Sequence, residues 1–201
     1  MNEQLTPSMY QNILAVTNRH LVTGDFLSQV ERVCSLHPKA LIVREKDLPE
    51  KEYEVLAGEC LRICGLHNIP CVMHFYPEAA VNLGCPNLHL PLWKLEEYRK
   101  TLQGSETFPF HEIGVSVHST EEALRAYQAG ATYLCAGHIY ATDCKKGVPP
   151  RGLSFLTEVC RSVPIPVYGI GGIQLDEAQI REVMACGAAG GCVMSGMMRV
   201  I

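Results

Sequence analysis

The chain has 201 residues, 47% hydrophobic and 19% charged, with a formal net charge of -4. That length buries a sizeable core, so one domain over residues 1–201 is expected. Lysine and arginine are scattered rather than massed into a basic stripe, which argues against nucleic acid as a partner, and no apolar run approaches the roughly 18 residues of a membrane span. Met1-Asn2-Glu3-Gln4-Leu5 lacks the basic and apolar regions of a secretion signal, so a cytoplasmic protein is expected. Ten cysteines would suggest disulfides in a secreted chain. Here most sit inside apolar runs, as Cys71, Cys135 and Cys192 do, where a free thiol packs as a small hydrophobe and a reducing compartment fits.

Asn12 to Val16 reads as a first strand, and Phe26 to Leu36 spaces Phe26, Leu27, Val30, Val33 and Cys34 along one helical face. Ala40 to Val43 is wholly apolar and runs into Arg44-Glu45-Lys46-Asp47; Pro49 then opens a helix to about Leu66. Ile69 to Met73 and Asn87 to Leu90 are the third and fourth strands, followed by helices over Glu78 to Leu83 and Leu95 to Leu102. Ile113 to Val117 is the fifth strand, and Ser119 or Thr120 caps a helix with Glu121 and Glu122 in its first turn and Gly130 at its end. Tyr133 to Ala136 is the sixth, followed after a long loop by a helix over Leu153 to Val163. Pro166 to Ile170, a helix over Asp176 to Cys186 and Gly191 to Met194 complete the series, with little or no eighth helix.

Eight continuous apolar strands, each but the last followed by a helix, predict parallel pairing with helices outside. A compact (β/α)8 barrel is the economical solution; an open doubly wound sheet is the alternative. In a barrel the chemistry sits at the carboxyl ends of the strands, which here carry Arg19, Arg44, Lys46, His74, His89, Ser116, His118, His138, Thr142, Lys145 and Ser195. The densest cluster runs from Ala136 to Gly147. There His138 can exchange a proton near neutral pH, and Thr142, Lys145 and Lys146 can hold an anion. A solvated loop with a packing histidine is the other reading of this segment. Gly171-Gly172 and Ser195-Gly196, after the last two strands, occupy positions where such barrels often bind phosphate through backbone N–H groups. His118 either touches ligand or orients its neighbours, and His89 and His74 are candidates for lining the pocket.

These motifs resemble the thiamin phosphate synthase and TenI superfamily. Arg44-Glu45-Lys46 is similar to its Gln-x-Arg-Glu-Lys motif, Gly114 to His118 to its Gly-x-Ser-x-His, and Gly169 to Ile173 to its phosphate loop. Gly137 to Gly147 is close to the TenI branch; the synthase branch typically has Thr-Pro-Thr-Lys where this chain has Thr142-Asp143-Cys144-Lys145. Two departures stand out. Synthases hold magnesium and pyrophosphate with Asn-Asp-Arg after the third strand and an aspartate beyond the fourth, where this chain has His74-Phe75-Tyr76 and Leu90 to Lys94. Ile42 also stands where the first motif is polar. The resemblance implies thiazole tautomerase activity, with His138 as acid-base and no metal or redox cofactor. It further implies phosphate at Gly171, Gly172, Met194 and Ser195, the ring or its carboxylate at Ser116, Thr142 and Lys145, and charge neutralisation by Arg44 and Lys46. The alternatives are a magnesium-dependent thiamin phosphate synthase and a non-catalytic binder of thiazole or thiamin phosphates. The expected partner is a phosphorylated thiazole, and a homodimer is a fair expectation for such barrels.

Overall fold

The computed structural model describes residues 6–102, 109–142 and 147–201. Its eight strands are β1 (Ile13–Val16), β2 (Ala40–Val43), β3 (Cys71–His74), β4 (Asn87–Pro91), β5 (Glu112–Val117), β6 (Tyr133–Gly137), β7 (Val167–Ile170) and β8 (Gly190–Val193). They pair in parallel in sequence order, and β8 closes on β1 through Ile13 opposite Gly191 and Ala15 opposite Val193. The sheet is therefore a closed barrel, not an open doubly wound one.

Strand period two divides each apolar run between two cores. Leu14, Val16, Ile42, Val72, Cys135 and Cys192 fill the lumen. Leu41, Val43, Leu88, Val115, Leu134 and Val193 face outward into the layer beneath the helices. Both faces are buried, which is why these strands read as continuous rather than alternating.

The helices are α1 (Pro7–Tyr10), α2 (Phe26–Ser35), α3 (Glu50–Leu66), α4 (Pro77–Asn82), α5 (Leu92–Thr101), α6 (Thr120–Gln128), α7 (Gly152–Ser162) and α8 (Glu177–Ala185). Side-chain caps start three of them. Asp25 accepts from the Ser28 N–H at 2.7 Å, Ser119 from Glu122 at 3.0 Å and Asp176 from Gln179 at 2.7 Å, each occupying an amide that has no partner within its helix. Two boundaries differ from the sequence pattern in ways that matter for the site. β3 extends one residue further, so His74 is its last residue, and α5 begins at Leu92 immediately after β4. The four-residue α1 was not expected; it buries Met9 and Tyr10 beside the start of the barrel.

After β8 the described chain makes a 3-10 turn, Met197–Arg199, where an eighth helix would stand. Buried Gln29 of α2 holds it, donating at 2.9 Å to both the Met197 and Val200 carbonyls.

Nine described cysteines are free. Seven are buried, with Cys34 and Cys64 sulfurs 3.8 Å apart between α2 and α3 and Cys135 and Cys192 sulfurs 3.3 Å apart in the lumen. Cys160 and Cys186 are part-exposed. No helix among the described residues is long and apolar enough to cross a membrane.

Candidate active site

His138 is the first residue past β6, and neighbouring chain fixes it from two sides. The loop after β6 is zipped to the loop after β7: Ile139 N–H donates to the Ile170 carbonyl and Tyr140 N–H to that of Gly171, both at 2.9 Å. This contact needs glycine. Gly171 has φ +96°, and a Cβ there would lie 2.3 Å from the His138 Cβ.

The His138 ring is only 4% exposed. Its Nε2 lies 3.3 Å from the Val148 carbonyl, which can only accept, so the ring proton is assigned to Nε2. Nδ1 then carries the lone pair, and among the described residues this buried atom has no partner. A neutral imidazole with one nitrogen committed and the other open is the state a general base requires. His118 works next to it: its Nδ1–H donates at 2.8 Å to the Gly137 carbonyl, anchoring the end of β6.

The opposite wall comes from consecutive strands, with Arg44 just past β2, His74 ending β3, His89 in β4 and Ser116 in β5. The His74 and His89 rings stack with centroids 5.6 Å apart and planes 13° from parallel. His89 is bonded at both nitrogens, Nε2 to Ser116 Oγ at 2.9 Å and Nδ1 to the Tyr133 hydroxyl at 3.1 Å. Burial, then the Arg44 charge, lowers the His89 pKa to about 3. Burial first, then His89, Arg44 and Lys46, push His74 well below its ordinary value. Both rings are neutral at physiological pH. Behind them Tyr53 donates to the Val43 carbonyl at 2.9 Å and accepts from the His74 N–H at 2.7 Å, fixing β3 against β2.

Arg44 is part-exposed, and Lys46 stands more exposed on the same rim. Desolvation and then the Arg44 charge lower the Lys46 pKa, so the two cations crowd each other. Arg19 is otherwise engaged. Its guanidinium meets Glu45 at 3.1 Å and Asp47 at 2.5 and 2.7 Å, and its N–H donates to Glu45 at 3.0 Å. Glu45 is only 1% exposed, a buried carboxylate that sequence pattern did not single out. Tyr133, reading as one more apolar strand residue, was missed as well.

Gly171, Gly172, Met194 and Ser195 rim the far side, all part-exposed, and among the described residues their amide N–H groups donate to no backbone carbonyl outside the helices and strands. Thr142 lies at the described edge of the loop after β6; Lys145 and Lys146 fall outside the described residues. The ends of β3 and β4 carry an aromatic cluster instead of carboxylates. Lys94 Nζ sits 3.8 Å over the Phe75 ring and 5.8 Å from the rings of Tyr76 and Trp93, while the Tyr76 hydroxyl donates to the Leu48 carbonyl at 2.7 Å. Magnesium takes hard oxygen ligands. A phenyl ring, a committed phenol, an indole and an ammonium do not fit it, and Glu45 and Asp47 are already held by Arg19.

Residues 13–197 match the family model described as "Thiamine monophosphate synthase". Thiamine-phosphate synthase 2 of Streptococcus pneumoniae is 29% identical over 185 residues, covering 92% of this chain and 86% of that protein. The thiamine-phosphate synthase of Clostridium acetobutylicum is 31% identical over 194 residues, covering 94% and 87%. Among solved structures, a thiamine phosphate pyrophosphorylase from Pyrococcus furiosus superposes with a TM-score of 0.79 at 26% identity, covering 97% of this chain and 91% of that one. With its closed barrel, its glycine-bearing rim and a match spanning nearly its whole length, the chain belongs to the thiamine monophosphate synthase family.

Proposed function

We propose that this chain converts a carboxythiazole phosphate tautomer with an exocyclic double bond into its aromatic isomer, without a metal. The observation that carries this reading is His138, with Nε2–H committed to the Val148 carbonyl and Nδ1 without a partner among the described residues. Nδ1 takes one proton from the substrate, and the resulting imidazolium returns one at the other end of the π system. Atoms and charge balance with no electron acceptor.

The phosphate sits against the N–H groups of Gly171, Gly172, Met194 and Ser195. Ser116, Thr142 and Lys145 orient the ring or its carboxylate, and Arg44 and Lys46 neutralise the remaining charge. The donor set at the β3 and β4 ends supports a metal-free step, since it supplies no site suited to magnesium.

A second reading has its own support: the relatives are named thiamine-phosphate synthase, which favours formation of thiamin phosphate. One experiment separates the two. Aromatisation of the carboxythiazole phosphate tautomer is followed by ultraviolet absorbance, with and without magnesium, in the natural chain and in His138→Ala. Metal-independent turnover that disappears in His138→Ala, with binding of the aromatic product retained, is the expected result. Full turnover in His138→Ala removes His138 from the chemistry. Thiamin phosphate formed from a pyrimidine pyrophosphate and magnesium, with no aromatisation, establishes the synthase; neither activity leaves a binder.

A further inference from the structure

We infer that Tyr133 is a positioning residue that sets the direction of a hydrogen-bond relay through His89 to Ser116, so that the Ser116 hydroxyl presents its hydrogen to the lumen and selects a ligand with an acceptor there, such as a carboxylate oxygen. Three groups are in line, with Tyr133 Oη 3.1 Å from His89 Nδ1 and His89 Nε2 2.9 Å from Ser116 Oγ. A neutral imidazole carries one proton, so the line runs one of two ways.

If Ser116 donated to Nε2, Nδ1–H would donate to the tyrosine oxygen and the phenolic hydrogen would need another acceptor. Among the described residues no other hydrogen bond is made by that hydroxyl, and the ring is only 6% exposed, enclosed by Cys135, Cys192 and Tyr168. A buried donor left unsatisfied costs about 1–3 kcal/mol. In the other direction Tyr133 O–H donates to Nδ1 and Nε2–H donates to Ser116 Oγ, leaving the Ser116 hydrogen as the free end. Ser116 is part-exposed, so that hydrogen meets ligand or water. The second direction satisfies every buried donor and acceptor of Tyr133 and His89.

The arrangement is built rather than incidental. Tyr133 reaches His89 through the space of an absent side chain: a Cβ on Gly114 would lie 2.1 Å from the tyrosine Cζ, 2.3 Å from its oxygen and 2.4 Å from His89 Nδ1. Stacking on His74 holds the His89 ring plane. Burial and the Arg44 charge keep His89 from taking a second proton, which would erase the direction. With Arg44 close enough to depress both histidines, the wall offers a cation and a fixed donor and suits an anionic acceptor.

The test reads His89 directly, by long-range 1H–15N correlation on the 15N-histidine-labelled full chain, with the signal assigned through His89→Gln. The expected result is the Nε2–H tautomer in the natural chain and loss of that preference in Tyr133→Phe. An Nδ1–H tautomer in the natural chain overturns the proposal, as does a Tyr133→Phe spectrum identical to the natural one. Should Tyr133→Phe not fold, the natural spectrum alone decides the direction.

Calorimetry supplies the ligand arm, which rests on the thiazole reading above. Carboxythiazole phosphate is expected to bind about tenfold more weakly to Tyr133→Phe and Ser116→Ala, while the thiazole phosphate lacking the carboxylate changes by less than about twofold. Equal weakening of both overturns the selectivity. If neither thiazole binds the natural chain, the thiazole reading fails and the spectrum still decides the relay.

Discussion

Acid should unfold this barrel earlier than its carboxylates alone would dictate, because His74 and His89 are folded in their neutral forms. The sign follows from proton counting. In the unfolded chain each titrates near 6.5, and in the barrel His89 does so near 3 and His74 well below its ordinary value, so the unfolded state binds more protons between those limits. Stability is whole well above pH 6.5 and drains as pH falls through it. His89 contributes a loss of about 0.2 kcal/mol at pH 7 and about 2 kcal/mol at pH 5, and His74 adds a loss of the same sign. His89 alone therefore removes about 2 kcal/mol over those two pH units, a sizeable part of the roughly 5–15 kcal/mol of a typical domain. Asp25 and Asp47, whose pKa values are lowered by their partners, lose their share at lower pH, through the carboxylate range. Urea unfolding followed by far-ultraviolet circular dichroism at pH 7, 6 and 5 measures the slope. His89→Gln should reduce the pH-dependent loss by about 2 kcal/mol, whatever it does to stability at pH 7. An identical slope in the natural chain and His89→Gln would refute the assignment.

Gly171→Ala places a methyl group 2.3 Å from the His138 Cβ at φ +96°, so the β6 and β7 loops must part. Turnover should fall by about a hundredfold or more while the circular dichroism spectrum is retained. Activity within twofold would show that the histidine needs no such support. Tyr53→Phe orphans the Val43 carbonyl and the His74 N–H inside the barrel wall, and should lower unfolding free energy by about 1–3 kcal/mol. A midpoint unchanged in urea would mean that water replaces the hydroxyl.

The barrel was legible because its strands are buried on both faces: runs such as Ala40 to Val43 and Tyr133 to Ala136 carry no polar interruption. Ser119 and Gly130 mark the ends of α6 by local chemistry, which a sequence displays directly. What stayed hidden depends on distant residues. Leu92 begins α5 but follows an apolar strand through Pro91, so pattern alone reads it as a connection. Glu45 looked like one more rim charge until Arg19, 26 residues earlier, closed on it. Tyr133 passed as core, yet Gly114 between Ile113 and Val115 in mid-strand was a signal that something approaches closely there, and that something is the tyrosine ring.

The buried thiols give the barrel a built-in clock of its own opening. Burial pushes Cys60 and Cys192 far up from the ordinary thiol range, and the seven buried sulfurs lie on both sides of the sheet, in the lumen and beneath α2 and α3. A thiol reagent meets thiolate only, so these positions react when the wall separates and not before. Cys160, pushed up only to about 11 and part-exposed, and Cys186 react from the folded surface. The lag between the fast and slow classes measures how often the closed sheet comes apart, strand by strand, with no label introduced.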